Sequence, residues 1–515
     1  MAPYTGIFFG AMLLNIAATF RSSSYWNKYK HLFGYTTNQS PETEDLLEKD
    51  SSESPELKAR HSALLKKYLA VYLLAVCSDW LQGPYVYALY GGYGYSQHEI
   101  AVLFVAGFGS SMLFGTFVGG MADSCGRKKF AIFFTIIYAL SCVTKHFKDF
   151  GVLMLGRLLG GIATSLLFSV FDSWLIKSHN DAGLSSYLSK SFASAQYGNS
   201  IVAITAGLVA NKAADMTKLL PIGDSKILYK GGYLAPFDMA LVALIVCGIL
   251  VSSLWNENYG SDRGSAVEAD GGKKKSWHTD FTDAFFTTIK SKEILFTGII
   301  CSLFEGSMYI FVFMWTPAVQ NLTDDREHIP FGLLFSTFMV CCMAGSSIFS
   351  VFIGGIKNEK FGMYVFGVAT FTFVLMALSK SETTAIISFL FFECCVGCYF
   401  PMMGTMKSVI VPESKRAAIY NLYRIPLNFI VLFSLLTDLT PRTSFALCTV
   451  MMATATFLQY NLVQHQNTFY STSNDKPTAD DLELGTSPIS SKSSGSHTES
   501  DAMDGNSSDA SSKQN

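Results

Sequence analysis

Charged residues are scarce in this chain of 515 residues, of which Asp, Glu, Lys and Arg make up 15%. Soluble globular domains carry about 25%. The 38 basic and 40 acidic side chains leave a formal net charge of −2, so the chain lacks the global positive field that nucleic-acid binding needs. We therefore expect no nucleic-acid partner, and the shortage of charge argues against a soluble protein.

Sequence patterns typical of enzymes and of metal sites are also missing. The 11 cysteines lie mostly in apolar stretches, without the close, even spacing of a disulfide framework. There is no Gly-x-Ser-x-Gly motif or phosphate-binding loop, no nucleophile and base can be assembled, and the nine histidines show no paired ligand spacing. We predict that the chain is not an enzyme and has no structural disulfide, no metal site and no cofactor.

Long apolar runs are what the sequence does contain. Each is near the 20 or so residues that cross hydrocarbon as a helix, and backbone polar groups in lipid must be satisfied within the segment. The pattern predicts an all-α membrane protein with apolar segments at residues 4–20, 67–90, 100–122, 130–146, 151–177, 187–212, 235–255, 294–318, 332–355, 361–379, 384–408, 418–437 and 442–463.

Polar stretches divide these segments into two groups of six, preceded by one extra segment. Two bundles of six are typical of transporters built from parallel halves, with the substrate site between them near the midplane. The predicted domains are an N-terminal anchor helix at 1–24, a cytosolic acidic linker at 25–66, a six-helix bundle at 67–255, a cytosolic central loop at 256–293, a second six-helix bundle at 294–465 and a disordered cytosolic tail at 466–515.

The orientation follows from lysine and arginine in the loops. If the stretch before Tyr68 faces the cytosol, the cytosolic ends carry 24 such residues and the opposite ends carry nine. This excess places the central loop and the tail in the cytosol. Asn321, in an Asn-Leu-Thr sequence, is then a predicted glycosylation site on the outer face.

Six ionisable residues lie deep inside the apolar segments, where a charge costs about 2.5 to 3.5 kcal/mol. All six fall on the core helices expected to line a central cavity, namely the first, fourth, seventh, tenth and eleventh, whereas the third, sixth, ninth and twelfth keep charges only near their ends, as with Lys145. This partition predicts a wet central pathway formed around Asp79, Arg157, Asp172, Glu305, Glu393 and Arg424.

The acidic members of this set have two possible roles. Asp79 and Glu305 lie at similar depth in corresponding helices, and each is followed by aromatics, among them Tyr85 and Tyr309 as candidate substrate contacts. Together with Asp172 and Glu393 they are candidates for proton acceptance, because burial favours the neutral carboxyl group. The alternative role is a structural ion pair or hydrogen bond between helices. The Gly83–Pro84 pair should bend the first core helix.

The two arginines are the candidate anion binders, because a guanidinium offers a rigid fork of donors and stays charged. Arg424 is the stronger candidate, with Asn428 one turn away on the same helix. Arg157 can instead hold the fourth core helix against the first. The six sites together carry four negative and two positive charges, so anion transport requires some carboxylates to be protonated or paired.

Residues 119–129, GGMADSCGRKK, resemble the cytoplasmic signature loop of the major facilitator superfamily. The loop is a short basic turn with an acid at a helix end, suited to contacts that change as two bundles rock. Asp123, Gly126 and Arg127 are therefore candidate gating residues. Residues 156–161, GRLLGG, similarly resemble the superfamily's fourth-helix motif.

A closer resemblance is to the molybdate-anion transporter family within that superfamily. It is carried by residues 79–87 (DWLQGPYVY), 107–116, 156–169, 303–309 (LFEGSMY), 313–317 and 423–428 (YRIPLN), which cover both bundles in order. Asp172 stands where relatives would be expected to have Glu. The resemblance implies the major facilitator fold and import of molybdate, a tetrahedral dianion, by alternating access, with molybdate and the lipid bilayer as partners and protons as a candidate coupling ion.

The sequence leaves two alternatives open. The chain could carry another solute, sulfate or an organic cation, the latter favoured by the excess of acidic sites. It could also be a transport-inactive receptor or scaffold that signals through its Ser-rich tail. The predicted location is the plasma membrane, with an endomembrane as the alternative, and the oligomeric state is left open.

Overall fold

The structure, a computed structural model, describes residues 2–23, 55–224, 227–260, 277–323, 329–352, 355–412 and 415–474. The predicted all-α class is confirmed. The helices are α1 (Ala2–Ser22), α2 (Pro55–Gln82), α3 (Val86–Gly92), α4 (Gln97–Cys125), α5 (Arg127–Thr144), α6 (Phe150–Asp181), α7 (Leu188–Asp215), α8 (Ala235–Leu254), α9 (Trp277–Lys290), α10 (Lys292–Leu322), α11 (Phe331–Phe352), α12 (Asn358–Leu378), α13 (Glu382–Ile410), α14 (Arg416–Leu436) and α15 (Pro441–Asn474). Within the described ranges, eight helices are long and apolar enough to cross a bilayer by themselves.

Two six-helix bundles account for the core. In the first, α2 and α3 together form the first core helix, and α4 to α8 form the second to sixth. In the second, α10 to α15 form the seventh to twelfth. The packing repeats between halves: α4 packs on α6 as α11 packs on α13, α5 on α6 as α12 on α13, and α2 on α7 as α10 on α14. This repetition is the parallel arrangement that the sequence predicts.

Several element boundaries differ from the sequence expectation. The first core helix begins at Pro55, well before residue 67, and its predicted bend is a 3₁₀ turn at Gly83–Tyr85, where Pro84 has no amide hydrogen to donate. The predicted central loop contains the amphipathic helix α9, and α15 runs on to Asn474. The acidic linker up to residue 54 and the tail beyond 474 lie outside the described residues.

Within the described ranges, one element is not helical. Strands β1 (Leu220–Ile222) and β2 (Leu228–Lys230) form an antiparallel hairpin between α7 and α8. Its second strand also bridges to Phe147, in the loop after α5. The hairpin lies outside the apolar segments, where exposed strand edges can be solvated.

The extra helix α1 packs along α11, in the second bundle. The Tyr4 hydroxyl donates to the Glu382 carboxylate, and the Thr19 and Ser347 hydroxyls lie 3.1 Å apart. Phe8 forms a small buried cluster with Ile204 of α7 and Val340 of α11. The first helix of the chain is therefore bound to the second bundle and also touches the first.

The bundles meet along α7 with α11 and α4 with α14. We call the side that carries the start of α2 and α9 the inner side. The described hydrogen bonds between bundles lie in their outer halves, as between Gln97 Nε2 and the Leu439 carbonyl oxygen (2.8 Å) and between His98 Nδ1 and Asp438 Oδ1 (2.7 Å). The described residues up to Gln464 belong to one compact unit.

Candidate functional site

Asp79 and Arg157 come together inside the first bundle. Asp79 is half-buried on α2, and its carboxylate accepts a hydrogen bond from the Tyr138 hydroxyl of α5. Arg157 of α6 lies close enough to Asp79 for direct electrostatic attraction. The structure thus joins the first, third and fourth core helices through one acid, one tyrosine and one arginine.

The Arg157 side chain is held by α4. Its Nε donates to the Leu103 carbonyl oxygen over 3.1 Å, and its guanidinium carbon lies 4.7 Å from the centre of the Phe104 ring. These contacts fix the stem and one face of the guanidinium, a cation–π arrangement that is stronger where water is excluded. The terminal nitrogens are the remaining donors for a ligand.

Lys145 adds a second cation to this cluster. Although it follows the last residue of α5, it is only 2% exposed, and its Nζ lies 5.7 Å from the centre of the Tyr90 ring of α3. Arg157 is close enough to repel it. The Tyr90 hydroxyl is buried and has no hydrogen-bond partner in the described part of the chain.

The sequence places Lys145 at a helix end, and it does lie directly after the last residue of α5, but its side chain is buried. A lysine near a helix end normally extends its stem to reach water. Here the β1–β2 hairpin covers the end of α5: the Tyr229 amide donates to the His146 carbonyl oxygen over 2.8 Å, and the Tyr93 hydroxyl donates to that of Lys145 over 2.6 Å. The available signal was that Lys145 falls inside the apolar segment 130–146.

A second acid lies in the other bundle. Glu305 of α10 accepts a hydrogen bond from the Tyr399 hydroxyl of α13 over 2.9 Å, and the Tyr399 ring stacks on Phe304 at 4.0 Å between centres. Asp79 and Glu305 are thus each held by a tyrosine of their own bundle. The sequence does not identify Tyr138 or Tyr399, because tyrosines in apolar segments have no spacing that singles them out.

Arg424 is exposed on α14, and Asn428, one turn further on, is half-buried. Tyr309 of α10 lies close enough to both Arg424 and Glu305 to interact with them electrostatically. The predicted residues Glu305, Tyr309 and Arg424 therefore do come together, on the second-bundle side of the seam.

Aromatic rings separate the two charged clusters. The Phe108 ring of α4 lies 5.2 Å from that of Tyr309, and Phe313 lies 5.2 Å from Phe104 and 5.5 Å from Tyr87. Phe104 carries Arg157 on its ring, so one aromatic layer stands between the arginine and α10. This layer lies in the outer half of the seam.

Tyr85 lies nearer the outer end of the seam than these rings. Its hydroxyl donates to Asn211 Oδ1 over 3.3 Å and accepts from the Gly332 amide over 3.4 Å. It therefore joins the first core helix to α7 and α11 rather than to a charged cluster.

Two predicted acids lie apart from Asp79 and Arg157. Asp172 accepts from the Tyr68 hydroxyl over 3.4 Å, and it lies 15 positions after Arg157 on α6, or about 22 Å along the helix. Glu393 is 6% exposed and lies beside Cys341 and Cys342, where α13 packs on α11.

The candidate gating loop is built as a network. Arg127 Nη2 lies 2.7 Å from Asp123 Oδ1, and its Nη1 donates to the Ser173 carbonyl oxygen over 3.0 Å. Gly126 has φ +110, and a Cβ there would lie 2.7 Å from the carboxyl carbon of Glu257. Glu257, which the sequence does not identify, accepts from the Lys128 amide over 2.8 Å and so caps the start of α5.

Comparison with known proteins places this arrangement among transporters. A family described as "sugar transporters, 12 TM" matches residues 43–391. The molybdate-anion transporter of Takifugu rubripes is 32% identical over 391 residues, covering 72% of this chain and 78% of the relative. That of Xenopus tropicalis is 30% identical over 408 residues, covering 75% and 83%.

Solved transporter structures share the fold. The nucleoside transporter NupG superposes with a TM-score of 0.56 at 13% identity, covering 78% of this chain and 98% of that protein. A peptide transporter solved in complex with sulfate superposes with a TM-score of 0.57 at 13% identity, covering 78% and 94%. At this identity the likeness establishes the two-bundle architecture, and the chain is a multi-pass membrane protein.

Proposed function

Because this chain belongs to the molybdate-anion transporter family of the major facilitator superfamily, we propose that it imports molybdate as a secondary transporter. The proposed location is the plasma membrane, and the proposed mechanism is alternating access, in which two bundles rock about a site between them. The observation that carries the proposal is the pair of charged clusters, one in each bundle, on either side of a single aromatic layer.

The anion contacts are assigned to the arginines. A guanidinium presents parallel N–H donors that match two oxygens of a tetrahedral oxyanion. Arg424 is exposed and Arg157 is half-buried, so Arg424 can meet an ion that keeps more of its water and Arg157 one that has lost part of it. Asn428 and Tyr309 supply further donors beside Arg424, whereas the contacts of Tyr85 favour a role in closing the outer seam.

The carboxylates can neutralise the positive charge of the arginines or carry protons. Asp79 lies between Tyr138 and Arg157, so its protonation would release positive charge on Arg157 for an incoming anion. Glu305 stands in the same relation to Tyr399 and the Tyr309–Arg424 pair. We therefore assign Asp79 and Glu305 to proton or charge-pair coupling. Glu393 is a further buried acid for this role, and Asp172 has the contacts of a helix-to-helix tie.

The outer contacts support a state closed toward the outer side. The described bonds from Gln97, His98 and Tyr85 to the second bundle would have to break for the outer side to open. On the inner side, the Asp123–Arg127 pair and its bond to α6 are suited to gating, because a charge pair can exchange partners when the bundles move.

The direct test is uptake of labelled molybdate in cells that lack their own carrier. Wild-type protein should support saturable uptake, and excess sulfate should measure how far the site distinguishes oxyanions. Arg424→Ala should lower uptake by roughly tenfold or more, as expected when a charged donor to a buried ligand is lost. Arg442→Ala, which removes an exposed arginine at the start of α15, is the matched control and should leave uptake unchanged.

The possible results of these uptake experiments test different parts of the proposal. No molybdate uptake by correctly inserted wild-type protein would refute the proposed function, and uptake of an organic cation instead would identify a different carrier. Unchanged uptake by Arg424→Ala would remove Arg424 from the anion site. Uptake that survives removal of residues 475–515 would speak against a role as a scaffold acting through the tail.

A further inference from the structure

Lys145 is one of the largest fully buried side chains in the described part of the protein. Its Nζ lies 3.3 Å from the position that a Cβ on Gly156 would occupy. Gly156 immediately precedes Arg157, so the ammonium group is directed at the same turn of α6 that carries the guanidinium.

Burying two cations together is unfavourable without a balancing negative charge, because desolvation of each ion costs several kcal/mol. Asp79 is the acid beside Arg157, and it already accepts the hydroxyl of Tyr138. Asp238 lies on α8 near Cys142, and its carboxylate is 2.9 Å from His146 Nε2. With Arg157, Lys145 and Asp79 ionised, the cluster carries one uncompensated positive charge.

Tyr90 provides the second indication. Its ring is fully buried under the Lys145 ammonium, and among the described residues its hydroxyl has no hydrogen-bond partner. A buried hydroxyl without a partner is normally destabilising by about 1–3 kcal/mol. Such groups in native proteins call for an explanation, and a ligand that arrives to accept the hydrogen bond is one.

We propose that Lys145, Tyr90 and Arg157 form an oxyanion site in the outer half of the first bundle. Arg157 lies seven residues inside the outer end of α6, or about 10 Å below it, and the hairpin contacts at His146 and Tyr93 cover the site from outside. The ligand class is a tetrahedral dianion such as molybdate or sulfate, and its choice as molybdate rests on the proposed function.

The donors suit that geometry. A guanidinium fork from α6, an ammonium from the end of α5 and a hydroxyl from α3 approach from three elements, so they can contact several corners of a tetrahedron. A dianion would bring the cluster's charge from plus one to minus one, and protonation of Asp79 would bring it back to zero. The site therefore gives a physical reason for proton-coupled uptake, in which Lys145 and Tyr90 contact the substrate directly.

The test measures binding and transport separately on the full chain in lipid nanodiscs and in cells. Binding of molybdate and of sulfate is followed by titration calorimetry for wild type, Lys145→Gln, Tyr90→Phe and Lys148→Gln. Lys148→Gln removes the same charge as Lys145→Gln. Because Lys148 is exposed, in the loop between α5 and α6, its variant is expected to bind as wild type. Loss of the Lys145 charge should weaken binding by roughly tenfold to a hundredfold, and loss of the Tyr90 hydroxyl by roughly threefold to tenfold.

Thermal unfolding without ligand separates this role from a structural one. Because the Tyr90 hydroxyl has no hydrogen bond to lose within the described ranges, Tyr90→Phe should unfold at the same temperature as wild type or higher, yet gain less stability from added molybdate. A lower unfolding temperature without ligand, together with unchanged affinity, would overturn the assignment.

The failure of this proposal can be told from that of the proposed function. If wild type binds and transports molybdate, and Lys145→Gln and Tyr90→Phe do so equally well, the site is refuted while the function stands. If wild type neither binds nor transports molybdate but binds sulfate through these residues, the oxyanion site stands and the choice of substrate is wrong. If wild type binds neither anion, both proposals fail.

Discussion

The guanidinium of Arg157 occupies the space that a side chain on Gly107 would fill. Arg157 Nη2 lies 2.6 Å from the position of a Cβ at residue 107, closer than such atoms approach in proteins. The glycine on α4 is therefore what allows the arginine of α6 to lie flat against that helix, over the ring of Phe104. The first glycine of the motif at residues 107–116 thus has a steric explanation.

Gly107→Ala should displace Arg157 and lower molybdate uptake by roughly tenfold or more, because the guanidinium would no longer be held in the position from which it contacts the anion. Gly109→Ala is the control, since a Cβ there meets nothing within 4 Å. Both variants raise helix propensity equally, so a difference in uptake isolates the contact with Arg157. Equal uptake by both would show that Arg157 tolerates displacement.

The outer seam depends on another glycine. A Cβ on Gly332 of α11 would lie 2.3 Å from the Gly207 carbonyl oxygen of α7. Gly332→Ala should therefore keep the outer halves apart and hold the carrier open to the outside, with uptake reduced by roughly tenfold or more. Gly367→Ala on α12, where a Cβ meets nothing within 4 Å, should transport normally.

The state of the Gly332→Ala variant can be measured directly. A cysteine placed at His98 should react faster with an impermeant thiol reagent in this variant than in the Gly367→Ala control. An unchanged rate would mean that α7 and α11 absorb the methyl group without opening the seam.

The extra helix α1 offers a comparison between neighbouring residues. Phe8 is 7% exposed in the cluster with Ile204 and Val340, whereas Phe9 is 60% exposed. Phe8→Ala should lower the free energy of unfolding by about 1–3 kcal/mol, because helices in lipid are held mainly by packing. Phe9→Ala should leave it nearly unchanged. Thermal unfolding of the two variants in the same detergent measures the difference in stability. Equal unfolding midpoints would argue against α1 as part of the packed unit.

The hairpin over the first bundle should depend on pH. The Asp238 carboxylate, hydrogen-bonded to His146 Nε2, raises the pKa of His146 above its ordinary value; partial burial opposes this rise, and a bond from Nδ1 to the Tyr229 carbonyl oxygen adds to it. A raised pKa in the folded protein means that the protonated ring stabilises the hairpin fully below the ordinary pKa of about 6.5. This stabilisation is lost as pH rises through the higher folded value.

Hydrogen exchange of the Lys148 and Tyr229 amides, corrected for intrinsic rates, measures this effect. Both amides donate hydrogen bonds between the hairpin segment and the loop after α5. Protection in wild type should fall as the pH rises above about 6.5. Asp238→Asn should shift that fall to lower pH. Asp438→Asn, which removes the partner of His98 instead, should leave it unchanged, and a pH-independent wild type would contradict the role of His146.

Much of the architecture follows from the residues alone. Apolar runs of membrane-spanning length, with a polar break after the sixth core helix, determine the helices and their division into two bundles. Ionised side chains are so costly in hydrocarbon that their confinement to certain helices indicates which surfaces face one another. The motif at Gly126 and Arg127 likewise predicts a tight turn, and the glycine has the positive φ that such a turn needs.

The partners of the charged residues were decided by tertiary structure. Nothing in the sequence pairs Asp79 with Tyr138 or Glu305 with Tyr399, because these contacts join different helices whose rotation depends on packing. The inward direction of Lys145 depends on a hairpin more than 70 residues further along the chain. Hydropathy thus sets which segments enter the membrane, since burial of apolar surface is a property of each segment. Which side chains meet inside is a property of the whole assembly, since short-range contacts need the helices to be in place.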